Sequence, residues 1–171
     1  MKKEKTIFIL DHYYNVNHLK QCLVIESDKS VEEMVQITSA ISFLLEDMTD
    51  PSYCLEEEWL LECLENFYDV KNVKSEIDSL QFKRVQMPIN GVYETTSLKY
   101  DNQIRQAYIV DLYEARESCC GTNYAVMMKT RLPKEEKLRE LADLLLKRFT
   151  ETYSSKKINA NTAEVVLRRL A

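Results

Sequence analysis

Three groups of residues have types and spacings that could do chemistry. His12 and His18 flank the tip of an expected hairpin, beside Asp11. With a three-residue loop of Tyr14 to Val16 the two imidazoles face one another and could share a metal or a proton; with a four-residue loop they do not. The plainer reading is a pair of histidines at a polar turn. Cys119-Cys120, before Gly121, offers a thiol on an exposed turn, but no His or Lys stands beside it in sequence to lower its pKa. Small residues in a tight turn account for it equally well. The third group is the carboxylates, 28 Asp and Glu in all, among which spacing alone singles out no acid–base pair.

Several chemistries are excluded by missing motifs. Only two glycines occur, Gly91 and Gly121, and no G-x-G-x-x-G or G-x-x-x-x-G-K-[ST] cradle for phosphates is present. Nor is there a G-x-S-x-G nucleophile elbow, an H-E-x-x-H or a C-x-x-C. The expectation is therefore no catalytic residue, no metal and no cofactor.

Charge is the strongest signal. From Ser30 to Val70 there are eleven acidic residues and no lysine or arginine, whereas Lys129 to Ala171 holds eleven basic and six acidic residues. Glu58, Glu62, Glu65 and Asp69 recur at four, three and four residues, so on a helix they form one stripe opposite Leu60, Leu64 and Phe67. Such a ladder carries one negative charge per about 5.5 Å of axis, against about 3.4 Å for one strand of a nucleic acid backbone. Glu46, Asp47 and Asp50 extend the acidic surface at the end of the preceding helix, where the helix dipole is already negative. In the basic segment, Lys147, Arg148, Lys156, Lys157, Arg168 and Arg169, with Tyr153 among them, could hold phosphates and stack a base. The net charge of −5 speaks against a dedicated nucleic-acid binder.

The elements that must position these residues follow from periodicity. Thr6 to Tyr14 and Leu19 to Glu26 read as a hairpin. Ser30-Val31-Glu32-Glu33 fits a capping box, and Met34, Ile37, Ile41, Leu44, Leu45 and Met48 mark the buried stripe of a helix ending near Thr49. A second helix is expected over Leu55 to Asp69, burying Leu60, Leu61, Leu64, Phe67 and Tyr68, followed by a short helical piece over Val73 to Leu80. Asn90-Gly91 is a strong hairpin turn between Phe82–Ile89 and Val92–Leu98. Gln106 to Arg116 and Thr122 to Arg131 are read as a further hairpin. Pro133 sits at the first position of a helix with Leu138, Leu141, Leu145 and Phe149 in its core stripe, and a last helix follows Asn161.

Strand pairs interrupted by helices predict an α+β fold, an antiparallel sheet with amphipathic helices packed on it, in a single domain over residues 1–171. Met34, Ile37, Ile41 and Leu45 share their spacing with Leu138, Leu141, Leu145 and Phe149, as two pseudo-repeated hairpin–helix units would, or as any two amphipathic helices do. Five cysteines without a framework spacing, no secretory signal and no long apolar run point to the cytoplasm. The functional expectation is a non-enzymatic interaction protein whose acidic face binds a basic protein surface, as small acidic inhibitors from phages and mobile elements do with nucleic-acid-processing enzymes. The alternatives are self-association through acidic and basic segments, nucleic-acid binding by the C-terminal helices, and an enzyme whose carboxylates or Cys119 converge only in the fold.

Overall fold

In the computed structural model the described residues are 4–11, 22–49, 55–81, 85–86, 91–94, 97–105, 107–119 and 124–153. Strand β1 (Thr6–Asp11) pairs antiparallel with β2 (Leu23–Ser27), with Thr6 opposite Ser27 and Leu10 opposite Leu23. Helix α1 (Val31–Met48) starts at the expected capping box. The Glu33 N–H donates to the Ser30 hydroxyl oxygen at 3.1 Å, and the Ser30 N–H donates to the Glu33 carboxylate at 2.8 Å, so two donors that the first turn leaves free are satisfied. All six residues of the expected stripe are buried. Helix α2 (Glu57–Phe67) buries Trp59, Leu60, Cys63 and Leu64; Leu61, Phe67 and Tyr68, expected in the core, are half-buried.

The main sheet has six strands in the order β3-β2-β1-β9-β6-β5, where β3 is Lys71–Asn72, β5 Val85–Gln86, β6 Val92–Glu94 and β9 Ala107–Asp111. A smaller sheet, β4-β7-β8, is formed by Ile77–Gln81, Ser97–Tyr100 and Gln103–Arg105. Alternation along the central strands divides the core in two. Phe8, Leu10, Ile25 and Val110 meet the helices. Ile7, Ile9, Val24, Ala107 and Ile109 meet Leu98 and Tyr100 of the smaller sheet. The central strands β1 and β9 are therefore apolar at consecutive positions because both faces are covered.

Five expectations are corrected. The chain from Gln106 to Arg131 is no hairpin: β9 is followed by α3 (Leu112–Cys119) and α4 (Tyr124–Arg131). Asp111 ends the strand and starts the helix, its Oδ1 accepting the N–H groups of Tyr113 at 3.1 Å and Glu114 at 3.0 Å, and Leu112 and Ala115 then bury one helical face. The main sheet is consequently mixed, since β9 lies parallel to β1. The helical piece after Val73 is one 3-10 turn, Lys74–Glu76, before β4. Val92–Leu98 is divided between β6 and β7, which belong to different sheets. Because helices follow β9, the second half of the chain does not repeat the hairpin–helix unit of the first.

Two other readings hold. Strands β5 and β6 pair antiparallel, as the two sides of the expected hairpin should, with Val85 opposite Glu94 and Gln86 opposite Tyr93, a register two residues removed from that of a two-residue Asn-Gly loop; Gly91 has φ 79°, and Asn90 lies outside the described residues. Helix α5 (Glu135–Thr152) buries Leu138, Leu141, Leu145 and Phe149, but its N-cap is Lys134 and its first residue Glu135, so Pro133 precedes the helix rather than taking its first position. His12, His18 and the last helix expected after Asn161 lie outside the described residues.

Candidate functional site

Helix α2 presents its acidic stripe to solvent in part. Glu58 and Glu65, two turns and about 10 Å apart along the axis, are exposed, as is Asp69, which follows the helix in a left-handed conformation at φ 53°. Glu62, between them, is occupied. Its Oε2 and Oε1 accept from Nε and Nη2 of Arg148 on α5, both at 2.6 Å, and Nη1 of Arg148 donates to Glu151 at 2.8 Å. This bidentate contact holds the Glu62 carboxyl below the usual carboxylate range, and the two carboxylates raise the pKa of the guanidinium in return. Beside it Trp59, Phe149 and Tyr153 form an aromatic cluster that locks α2 against α5, with ring centroids 5.1 to 6.5 Å apart.

The other acidic candidates serve the fold. Glu46 pairs with Arg116 of α3, whose guanidinium lies 5.1 Å from the centre of the Phe43 ring. Asp47 accepts from the Tyr124 hydroxyl at 3.1 Å, joining α1 to α4. Asp50 lies outside the described residues. Of the basic candidates Lys147 is exposed on α5, Arg148 is engaged by Glu62 and Glu151, and Lys156, Lys157, Arg168 and Arg169 lie outside the described residues. The contact between acidic and basic segments, a route to self-association in the sequence reading, is thus made within one chain at Glu62 and Arg148.

Two residues that spacing did not select are brought together by topology. Asp11 and Asp111 are register partners at the carboxyl ends of the parallel strands β1 and β9, with exposures of 1% and 2%. Adjacent strands lie about 4.8 Å apart, and in parallel register both side chains project to the same face. Asp11 acts on the Cys22 thiol, whose pKa is pushed up to about 12 by burial and by that carboxylate. Asp111 caps α3. Two buried carboxylates so placed can exchange protons with a bound group, and carboxyl ends of parallel strands are where open α/β sheets bind ligands. A signal for the pair does exist in the sequence: Ile7-Phe8-Ile9-Leu10-Asp11 and Ala107-Tyr108-Ile109-Val110-Asp111 are both four apolar residues closed by an aspartate.

Among the described residues no group of three or more His, Cys, Asp and Glu side chains could hold a metal ion, and no helix is long and apolar enough to cross a membrane. Cys119 is the half-buried last residue of α3, and Cys120 lies outside the described residues. The chain matches no protein-family model, and no curated protein or solved structure is significantly similar to it.

Proposed function

We propose that this protein is a non-enzymatic interaction protein whose α2 face binds a basic surface on another protein and blocks or regulates it. A nucleic-acid groove is the kind of target such a charge ladder fits. The observation that carries this reading is the exposure of Glu58 and Glu65 along one face of α2, and of Asp69 beyond the end of that helix, with no ion pair to any described lysine or arginine. Like charges along a helix cost a few tenths of a kcal/mol per pair, and a cationic partner relieves that cost. The nucleic-acid-binding alternative is weakened because Arg148 is already held by two carboxylates.

Affinity capture from a host extract at low and high salt, with wild type beside the Glu58→Gln, Glu65→Gln double variant, tests the reading. Wild type should retain a basic protein at low salt and release it at high salt, while the variant captures far less. Equal capture by both proteins refutes the docking face.

A second reading rests on Asp11 and Asp111: an enzyme that uses the pair for general acid and base chemistry. It predicts hydrolytic turnover by wild type that is lost in Asp11→Asn with folding retained. An absence of turnover across phosphoester, glycoside and peptide substrates removes it.

A further inference from the structure

Strand β8 is the outer strand of the smaller sheet, and its register fixes which of its main-chain groups face outward. Asp101 and Asn102, at φ 51° and 55°, form the two-residue turn that joins it to β7, with Tyr100 opposite Gln103. The residues flanking such a turn are a hydrogen-bonded pair, so the next pair, Lys99 and Ile104, is non-hydrogen-bonded. The Ile104 N–H and C=O therefore point away from β7. Among the described residues no main-chain hydrogen bond joins β8 to a strand other than β7. Beside the strand lies a cavity of about 350 Å³, lined by residues 4–6 at the start of β1, by all of β8 and by Tyr108. The parallel register of β1 and β9, continued, would set Lys5 against Arg105, but it is the Arg105 side chain that donates to the Lys5 carbonyl. The same guanidinium donates to Glu26 at 3.4 Å and lies 5.6 Å from the centre of the Tyr100 ring. A charged side chain is a common guard of an edge strand, and here it is turned inward. Ile104 is left on the outer face, 78% exposed.

We propose that the outer edge of β8 is a peptide-binding site, where an extended segment of another protein adds as a fourth strand to β4-β7-β8 and exchanges main-chain hydrogen bonds with Ile104. An outward N–H and C=O on one strand residue are complemented by the main chain of a second strand. The side chain opposite Ile104 is β-branched or aromatic, since such side chains pack best across neighbouring strands. A second copy of this chain is a poor occupant. Two β8 strands related by a two-fold axis would exchange bonds at the Ile104 pair alone, far short of the roughly 800 Å² per partner that a stable protein interface buries. A cavity of about 350 Å³ is instead of the size that takes a small ligand or a short segment of chain. The site shares no residue with the acidic face of α2 and stands without it.

The test uses the full chain and a short labelled peptide of alternating Ser and Val, followed by fluorescence anisotropy and by amide hydrogen exchange in NMR. In the free protein the Gln103 and Arg105 amides, bonded to β7, should exchange more slowly than the Ile104 amide. Adding the peptide should slow Ile104 exchange by about tenfold. The same peptide N-methylated at every valine should bind about fivefold or more weakly, the loss expected from one main-chain hydrogen bond. Ile104→Lys, which alters an exposed side chain and leaves the bonds to β7 in place, should weaken binding of the unmodified peptide. If that variant fails to fold, the comparison of the two peptides on wild type still decides. An Ile104 amide as protected as its neighbours in the free protein overturns the open edge. No added protection with the peptide, or equal binding of its N-methylated form, overturns the peptide site.

Discussion

Replacing Gly91 by alanine should unfold the molecule at a lower temperature by a predictable amount. Gly91 is buried at φ 79°, and its carbonyl accepts the Asp111 N–H at 2.8 Å. A Cβ built there would lie 2.5 Å from the Ala115 nitrogen and 3.0 Å from both Ala115 Cα and the Glu114 carbonyl carbon. Two costs combine. A left-handed conformation costs a residue with a Cβ about 1–2 kcal/mol, and forcing an extra carbon into a packed contact costs about 1–3 kcal/mol. The sum, about 2–5 kcal/mol, corresponds to a fall of roughly 5–15 °C in the midpoint for a chain of this size. Differential scanning calorimetry of Gly91→Ala measures it. Because the opposing atoms are helix backbone, trimming Ala115 to glycine in the same chain should give no rescue. A midpoint within about 1 °C of wild type, or full rescue by Ala115→Gly, refutes the seating of α3 on Gly91.

Further outcomes are expected from local contacts. Ser30→Ala removes the hydroxyl of the capping box and should cost about 1 kcal/mol in urea unfolding at neutral pH. The Ser30 N–H and hydroxyl hold the Glu33 carboxyl below its usual range, so its contribution to stability is present above the unfolded-state value and is lost as the pH falls through the folded one. Glu33→Gln should accordingly flatten the acid limb of the stability curve, and an unaltered limb counts against the capping box. Burial pushes the thiols of Cys22 and Cys63 up to about 12, so neither should react with a thiol reagent at pH 8 until the protein unfolds. Labelling of either residue in the folded protein, located by peptide mapping, contradicts their burial.

Local chemistry was legible wherever one short stretch carried the whole signal. The capping box at Ser30 and Glu33, the stripe from Met34 to Met48 and the stripe of α5 each depend on residues within a few positions of one another. All are found where they were expected. The stretch after Ala107 was misread because Ala-Tyr-Ile-Val is a short apolar run, and its continuation into a helix depends on Asp111 capping α3 and on Ala115 finding the backbone of Gly91 to pack against. Neither condition shows in a periodicity.

The site divides the same way. Sequence by itself determined that α2 is amphipathic and acidic on one face, because the 3.6-residue period alone brings Glu58, Glu62 and Glu65 into line. Tertiary structure decided which of those carboxylates remain open. Glu62 is taken by an arginine 86 positions away, Glu46 by Arg116 and Asp47 by Tyr124. Tertiary structure also decided that Asp11 and Asp111 are neighbours, since a parallel pairing joins strands whose sequence separation no local pattern encodes. The physical reason is one of range: helical period and capping act over a turn or two, whereas ion pairs and strand register are settled by which surfaces the hydrophobic core brings together.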